Sequence, residues 1–178
     1  GIFSVKVCMR ERPDHTSGLQ ACAAVGQCEL MFLYDKLFSE YGVVVSQLLF
    51  TGYTLNHPEE KAHLVDTFNQ LLEYDALPIV NENDSVSVEE LLHGDNDCLS
   101  ATVAQLIGAD LLILLTDTDG LFDANPAENE DARLIGRVAE IATGAGIPVI
   151  IMNGERPTAI YKVLDGQPIG TYFEANSR

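Results

Sequence analysis

The sequence is poor in basic residues. It contains 10 lysines and arginines against 27 aspartates and glutamates among 178 residues, which gives a formal net charge of −17. Proteins that bind nucleic acids or anionic membranes contact phosphates through Lys and Arg, so this charge argues against both kinds of partner. The same field repels an anionic substrate, and Mg²⁺ with a few well-placed lysines would have to reverse it locally.

The signatures of several protein classes are also missing. The sequence has no G-x-x-x-x-G-K-[ST] and no G-x-G-x-x-G segment, which argues against a P-loop or a Rossmann nucleotide site. No apolar run reaches the roughly 18 residues of a membrane span, and no signal-peptide pattern occurs. The 4 cysteines and 4 histidines lack metal-ligand spacing, so we predict no metal site and a cytoplasmic protein with reduced thiols.

Helical and strand-like patterns alternate along the chain. Apolar residues recur at helical spacing over 19–41, 59–74, 97–107, 139–145 and 156–164, with a start signal at Pro58 and a stop at Gly42. Apolar runs typical of buried strands occupy 2–7, 43–50, 77–80, 111–115 and 148–152, and an acidic loop covers 124–131. The alternation predicts an α/β fold, one domain over residues 1–178, with a mostly parallel sheet covered by helices.

Three polar clusters follow these strands or begin these helices. Asn81 and Asp84 come after the strand at 77–80, Asn96 directly precedes the helix at 97–107, and Thr116 and Asp117 follow the most apolar strand. In α/β proteins, ligands bind at the carboxyl ends of strands and at helix N-termini. Each residue taken singly is as well explained as a turn or cap, but together they predict a site.

The residue types in these clusters suggest their chemistry. A carboxylate such as Asp84 only accepts hydrogen bonds, whereas the amide of Asn96 donates and accepts, so the pair suits a ligand with an ammonium and a carboxylate. Thr116 and Asp117 could meet a nucleotide phosphate and Mg²⁺, although an Asp-Gly turn explains them equally well. Lys6, at the end of the first predicted strand, is either a surface lysine or a charge that stabilises a transferring phosphoryl group.

Most of the chain, from about residue 20 to residue 173, resembles the glutamate 5-kinase branch of the amino acid kinase family. The acid-amide motifs at 81–84 and 94–97 are the most specific part of this resemblance. The matching segments are QACAAVGQ (20–27), LYDKLF (33–38), PIVNEND (78–84), GDND (94–97), GADLLILLTD (108–117) and NG (153–154).

The resemblance implies a fold, an activity and a set of site residues. The fold is a three-layer αβα sandwich with a mostly parallel central sheet. The activity is ATP-dependent phosphorylation of the γ-carboxylate of L-glutamate to γ-glutamyl phosphate, the first step towards proline, with Mg²⁺ as cofactor. A homo-oligomer, dimer or tetramer, and feedback inhibition by proline are further family expectations. The implied site residues are Asp84, Asn96 and Asn81 for glutamate, Thr116 and Asp117 for ATP, and Lys6 and Asp97 for catalysis.

Two stretches of the family pattern do not occur in the sequence. These are the small hydroxyl residues and Ser-Ser-Gly turn expected after the first strand, and a glycine-rich segment with a second catalytic lysine. We expect loops near 7/8 and 141/142 to be absent from this sequence, and no extra C-terminal domain within it. Two alternatives stay open: a related kinase acting on another acid, and a non-catalytic glutamate or proline sensor.

Overall fold

The computed structural model describes residues 13–87, 96–117 and 130–176. The predicted first strand, Lys6 and the 7/8 junction lie outside these ranges. The chain divides into two compact units, Gly1–Asp95 and Asn96–Arg178, which we describe separately. The first contains α1 (Thr16–Ser39), β1 (Val44–Phe50), α2 (Gly52–Asn56), α3 (Pro58–Glu73) and β2 (Ala76–Glu82). The second contains α4 (Asn96–Ile107), β3 (Leu112–Thr116), α5 (Glu130–Gly144), β4 (Val149–Asn153), α6 (Ala159–Leu164) and β5 (Thr171–Phe173).

In the first unit, β1 and β2 pair in parallel, with Val44 opposite Ala76 and Phe50 opposite Glu82. Helix α1 contacts β1, and α3 contacts β2. Leu64 and Phe68 lie four residues apart on one face of α3 and are buried. A parallel pair therefore carries helices, as the sequence predicted, and α3 contributes the apolar side chains that are buried.

The ends of the helices follow the predicted signals. Pro58 is the first residue of α3, where its missing N–H costs no hydrogen bond, and Glu59 and Glu60 follow in the first turn. Gly42, just beyond α1, has φ +70°. This conformation lets the Val43 N–H donate to the Phe38 carbonyl at 3.1 Å and close the helix end.

The second unit is a three-stranded sheet in the order β3-β4-β5, covered by α4 and α5. Strands β3 and β4 are parallel, whereas β5 runs antiparallel to β4. Small residues on the helices, such as Ala101 on α4 and Ala142 on α5, are fully buried and let the helices approach closely. The core of this unit consists of Ala101, Ala104, Leu112, Leu114, Val138, Ala142, Ile147, Val149 and Ile151.

Some sequence boundaries are wrong. Helix α5 begins at Glu130, so residues 130–131 of the predicted loop are helical and the helix predicted at 139–145 is too short. The rest of that predicted loop, 124–129, lies outside the described residues. Acidic residues are common in loops, but they also suit the first turn of a helix. The helix predicted at 156–164 starts only at Ala159, and α2 and β5 were not predicted. Helix α5 runs through 141 and 142 without a break, and the missing segment expected there stays a prediction.

We predict that Gly170 cannot be replaced without loss of stability. Its φ is +78°, and a Cβ there would collide with the Ile151 carbonyl oxygen and lie 3.1 Å from the Met152 Cβ. Gly166→Ala serves as the matched control, because Gly166 also has φ +78° but no atom within 4 Å of the added Cβ. The control should cost about 1–2 kcal/mol of unfolding free energy from backbone strain alone.

Gly170→Ala should cost a further 1–3 kcal/mol, roughly the penalty of overpacking. Urea unfolding followed by circular dichroism measures both variants against the parent. Equal losses for the two variants would contradict the close approach of Gly170 to β4.

Candidate functional site

The first polar cluster lies in the turn that follows β2. The Asn83 N–H donates to the Phe50 carbonyl at 3.0 Å, which carries the parallel pairing past the end of both strands. The Asn83 carbonyl in turn accepts the N–H groups of Val86 and Ser87 at 3.0 and 3.1 Å. This turn holds Asp84 at the carboxyl edge of the β1–β2 pair, where the sequence predicted a ligand site.

A small cleft, the Asp84 cleft, opens between α1 and this turn. Its empty volume, which includes space open to solvent, is about 220 Å³. Ala23 and Ala24 lie one helical turn before Gln27 on the same face of α1, and their short side chains leave the space open. The lining residues are Ala23, Ala24, Gln27, Leu49, Glu82, Asn83, Asp84 and Ser85, and none of these described residues is basic.

A chain of hydrogen bonds joins β2 to α1 beside the cleft. The backbone N–H of Glu82 donates to Asn81 Oδ1 at 3.0 Å. Asn81 Nδ2 then donates to Gln27 Oε1 at 3.0 Å, a contact between residues 54 positions apart. Because a backbone N–H can only donate, it determines which atom of Asn81 is the oxygen, and hence which atom of Gln27 faces Asn81.

The last group in this chain, Gln27 Nε2, is buried and has no hydrogen-bond partner among the described residues. Rotating the Gln27 amide by 180° would place its N–H groups against the N–H groups of Asn81, so the hydrogen bond between the two side chains would be lost. Leaving a buried donor without a hydrogen bond costs about 1–3 kcal/mol. We therefore expect Gln27 Nε2 to bind a group that the described residues do not include. The sequence did not single out Gln27, because its contact with Asn81 depends on the fold.

Asn96 and Asp97 form the start of α4 in the second unit. Asn96 is its first residue, and Asp97 lies in the first turn, where the helix dipole favours a carboxylate. The Ser100 hydroxyl donates to the Asp97 carbonyl at 2.6 Å and tightens this turn. The helix N-terminus is therefore where the sequence predicted it. Asn81 and Asp84 belong to the other unit, so binding of one ligand by all four residues stays a prediction.

Thr116 and Asp117 lie at the carboxyl end of β3. Thr116 is opposite Asn153 in the parallel register of β3 and β4. The Gly154 N–H donates to the Thr116 carbonyl at 2.7 Å, and the Glu155 N–H donates to Asn153 Oδ1 at 2.7 Å. The result is a second polar edge, with Asp117 exposed beside it.

The chemistry of this second edge suits a nucleotide with its cation. A hydroxyl and a carboxylate are hard oxygen ligands, and Mg²⁺ commonly takes one or two carboxylates together with phosphates and water. Within the described parts of the chain, no group of three or more His, Cys, Asp or Glu residues could hold a metal alone. A search of the same residues finds no helix with the length and apolar character needed to cross a membrane.

Comparison with known proteins gives consistent results for sequence and fold. The model of the amino acid kinase family matches residues 4–153. The glutamate 5-kinase of Clostridium acetobutylicum is 44% identical over 197 residues, covering 94% of this chain and 74% of that protein. The glutamate 5-kinases of Clostridium perfringens and Ligilactobacillus salivarius are 38% and 39% identical, covering 98% and 97% of this chain and 77% of each relative.

Two solved structures of isopentenyl phosphate kinases have a similar fold. The product complex of the T. acidophilum enzyme has a TM-score of 0.57 at 16% identity, covering 88% of this chain and 69% of that structure. The second has a TM-score of 0.56 at 17% identity, covering 96% and 78%. At such identities the likeness shows the fold alone, and it confirms the predicted α/β fold with parallel strands. With the family model matching most of the sequence, the chain belongs to the amino acid kinase family.

Proposed function

We propose that this chain is a glutamate 5-kinase, which uses ATP to phosphorylate the γ-carboxylate of L-glutamate in the first step of proline biosynthesis. The observation that carries the proposal is the Asp84 cleft, whose lining combines carboxylates with Gln27, a residue whose buried amide donor has no partner among the described residues. Such a lining complements a ligand that bears both an ammonium and a carboxylate. The relatives at 38–44% identity, all named glutamate 5-kinases, support the same substrate.

The reaction brings together two anions, the substrate carboxylate and the γ-phosphate of ATP. The γ-carboxyl group of glutamate has an ordinary pKa of about 4.3, so it is already ionised at neutral pH and needs no general base. The protein therefore contributes mainly by positioning the reactants and offsetting their charge. Thr116 and Asp117 would hold Mg²⁺ together with the phosphates, and the ion would supply part of that charge compensation. We assign Lys6 the rest and propose that Asp97 orients it.

The missing family segments bear on whether this sequence alone is active. The alignment with the Clostridium acetobutylicum relative spans 197 residues, more than the 178 of this whole chain. That relative therefore carries residues within the aligned range that this chain lacks. This supports the proposal that loops near 7/8 and 141/142 are absent from the sequence. Mass spectrometry of the natural protein would contradict it by returning 19.4 kDa.

We also propose that the protein is a cytoplasmic homo-oligomer inhibited by proline. Helix α1 exposes several large apolar side chains, with Phe32 60% and Leu37 57% exposed, and Leu33 lies beside them. Apolar groups clustered on one helix suit a contact between subunits. Sedimentation equilibrium should give a mass of two or four chains. A monomer mass at micromolar concentration would contradict this proposal.

A hydroxylamine trap tests the activity directly. The natural protein is incubated with ATP, Mg²⁺ and hydroxylamine, with L-glutamate, L-aspartate or N-acetyl-L-glutamate in parallel. An acyl phosphate is captured as a hydroxamate that forms a coloured iron complex. We expect colour with L-glutamate only, decreased by added proline. Colour with another acid would indicate a different kinase, and glutamate binding without colour would indicate a sensor.

We predict that the two polar edges have separable effects on the two substrates. Asp84→Asn removes the charge that we assign to the substrate ammonium, so the KM for glutamate should rise about 10- to 100-fold. The KM for ATP should stay within about twofold. Asp117→Asn should do the reverse, because its carboxylate lies at the edge assigned to the nucleotide. Initial-rate kinetics with each substrate varied in turn measures both constants.

Matched controls separate these effects from the loss of one negative charge. Asp66→Asn changes an exposed residue of α3 in the same unit as Asp84. Asp110→Asn changes an exposed residue before β3, at the strand end opposite Asp117. Both controls should leave both KM values unchanged. Equal changes in the two constants for Asp84→Asn would contradict its assignment to glutamate.

A further inference from the structure

We propose that Gln27 is an additional substrate-binding residue, whose Nε2 amide donates to the α-carboxylate of glutamate. Asn81 is then a positioning residue that holds Gln27 in the donating orientation. This inference rests on the proposed function. It assigns the recognition of the amino acid's α-carboxylate to a contact between α1 and the end of β2.

The orientation of the Gln27 amide is set from the backbone outward. The Glu82 N–H donates to the side-chain oxygen of Asn81 and so fixes the orientation of the Asn81 amide. Asn81 Nδ2 then donates to the side-chain oxygen of Gln27 and fixes the orientation of the Gln27 amide. The Nε2 donor of Gln27 is then left over, and it is buried without a partner in the part of the chain that the structure describes. Both N–H bonds at this atom remain available. The hydrogen-bond chain thus leaves one unsatisfied donor on a residue that lines the Asp84 cleft.

Among the other polar side chains of the cleft, Asn83 also carries an amide donor, Nδ2, whereas Ser85, Glu82 and Asp84 do not replace Gln27. The Ser85 hydroxyl donates its one hydrogen to Asn83 Oδ1 at 2.5 Å. Glu82 and Asp84 carry carboxylates, which when ionised accept hydrogen bonds and do not donate them. A carboxylate that enters beside them would meet repulsion unless a donor faces it. Gln27 differs from Asn83 in that its donor is buried and has no partner among the described residues, so we assign the carboxylate to Gln27.

The substrate's own geometry links Gln27 to Asp84. In an α-amino acid the ammonium and the α-carboxylate share one carbon atom, so a site that binds both needs an acceptor and a donor close together. Asp84 is the acceptor and Gln27 the donor, and both line the same cleft. Contact requires the Gln27 amide to tilt into the cleft about its terminal side-chain torsion, whose energy profile is broad. The γ-carboxylate then remains available for phosphorylation.

A change of substrate preference tests the inference. Gln27→Glu keeps an oxygen for Asn81 and replaces the Nε2 donor by an acceptor. L-Glutamic acid α-amide (L-isoglutamine) has an amide in place of the α-carboxylate and can donate where glutamate cannot. We expect kcat/KM for glutamate relative to the α-amide to fall by about 10- to 100-fold in Gln27→Glu. The KM for ATP should not change.

A second variant and a control make the outcome decisive even if Gln27→Glu folds poorly. Asn81→Asp keeps the acceptor for the Glu82 N–H but replaces the Asn81 donor by a second oxygen. The Gln27 amide should then rotate by 180° to donate to that oxygen, which leaves the Gln27 oxygen facing the cleft. We expect the substrate preference to shift in the same direction as in Gln27→Glu. Gln70→Glu adds the same charge at an exposed position of α3 and should not shift it.

An unchanged preference in Gln27→Glu and Asn81→Asp, with the parent enzyme active on glutamate, would overturn the inference. So would an equal loss for both substrates accompanied by a lower Tm, because that pattern indicates a structural role only. A parent enzyme that phosphorylates neither substrate would instead refute the proposed function. The two failures are therefore distinguishable.

Discussion

Parallel pairing of strands is the constraint on which the rest of this protein depends. In the first unit it aligns Phe50 with Glu82, and in the second it aligns Thr116 with Asn153. Both carboxyl ends in a parallel pair lie at one edge, so the polar turns that follow are brought together there. Apolar strand residues such as Phe50, Val149 and Ile151 are buried, and the turns beyond the strands are where polar side chains can meet a ligand.

A second constraint is the charge of the protein. At −17, the chain as a whole repels both glutamate and ATP, and the described residues lining the Asp84 cleft include no basic residue. A neutral amide donor is one way to accept a carboxylate without adding a positive charge that the neighbouring carboxylates would attract. The hydrogen-bond chain from Glu82 through Asn81 gives Gln27 that role, and it ties α1 to β2 at the same time.

Much of the fold was predictable because its signals are local. Pro58 at the start of α3 and Gly42 after α1 act through their own backbone geometry, and the sequence alone contains that information. The start of α5 was missed because acidic residues occur in loops and in first helical turns alike. Strand β5 is only three residues long, and it exists because β4 offers a free edge rather than through its own pattern.

The residues of the candidate site also differ in whether the sequence alone could predict them. Asp84 and Thr116 follow apolar strands, so their position at a sheet edge was visible in the sequence. Gln27 lies in the middle of a helix, and nothing in its immediate surroundings distinguishes it from a surface glutamine. Its importance comes from a contact 54 residues along the chain and from the donor that this contact leaves unsatisfied. Such a residue becomes visible only after the fold has been described.

The most direct test is a crystal structure of the natural protein grown with L-glutamate. We infer that the amino acid binds in the Asp84 cleft. We expect the substrate ammonium within hydrogen-bond distance of the Asp84 carboxylate and the α-carboxylate on Gln27 Nε2, each at about 2.7–3.2 Å. Glutamate bound elsewhere, with the Asp84 cleft empty and Gln27 still bonded only to Asn81, would contradict it.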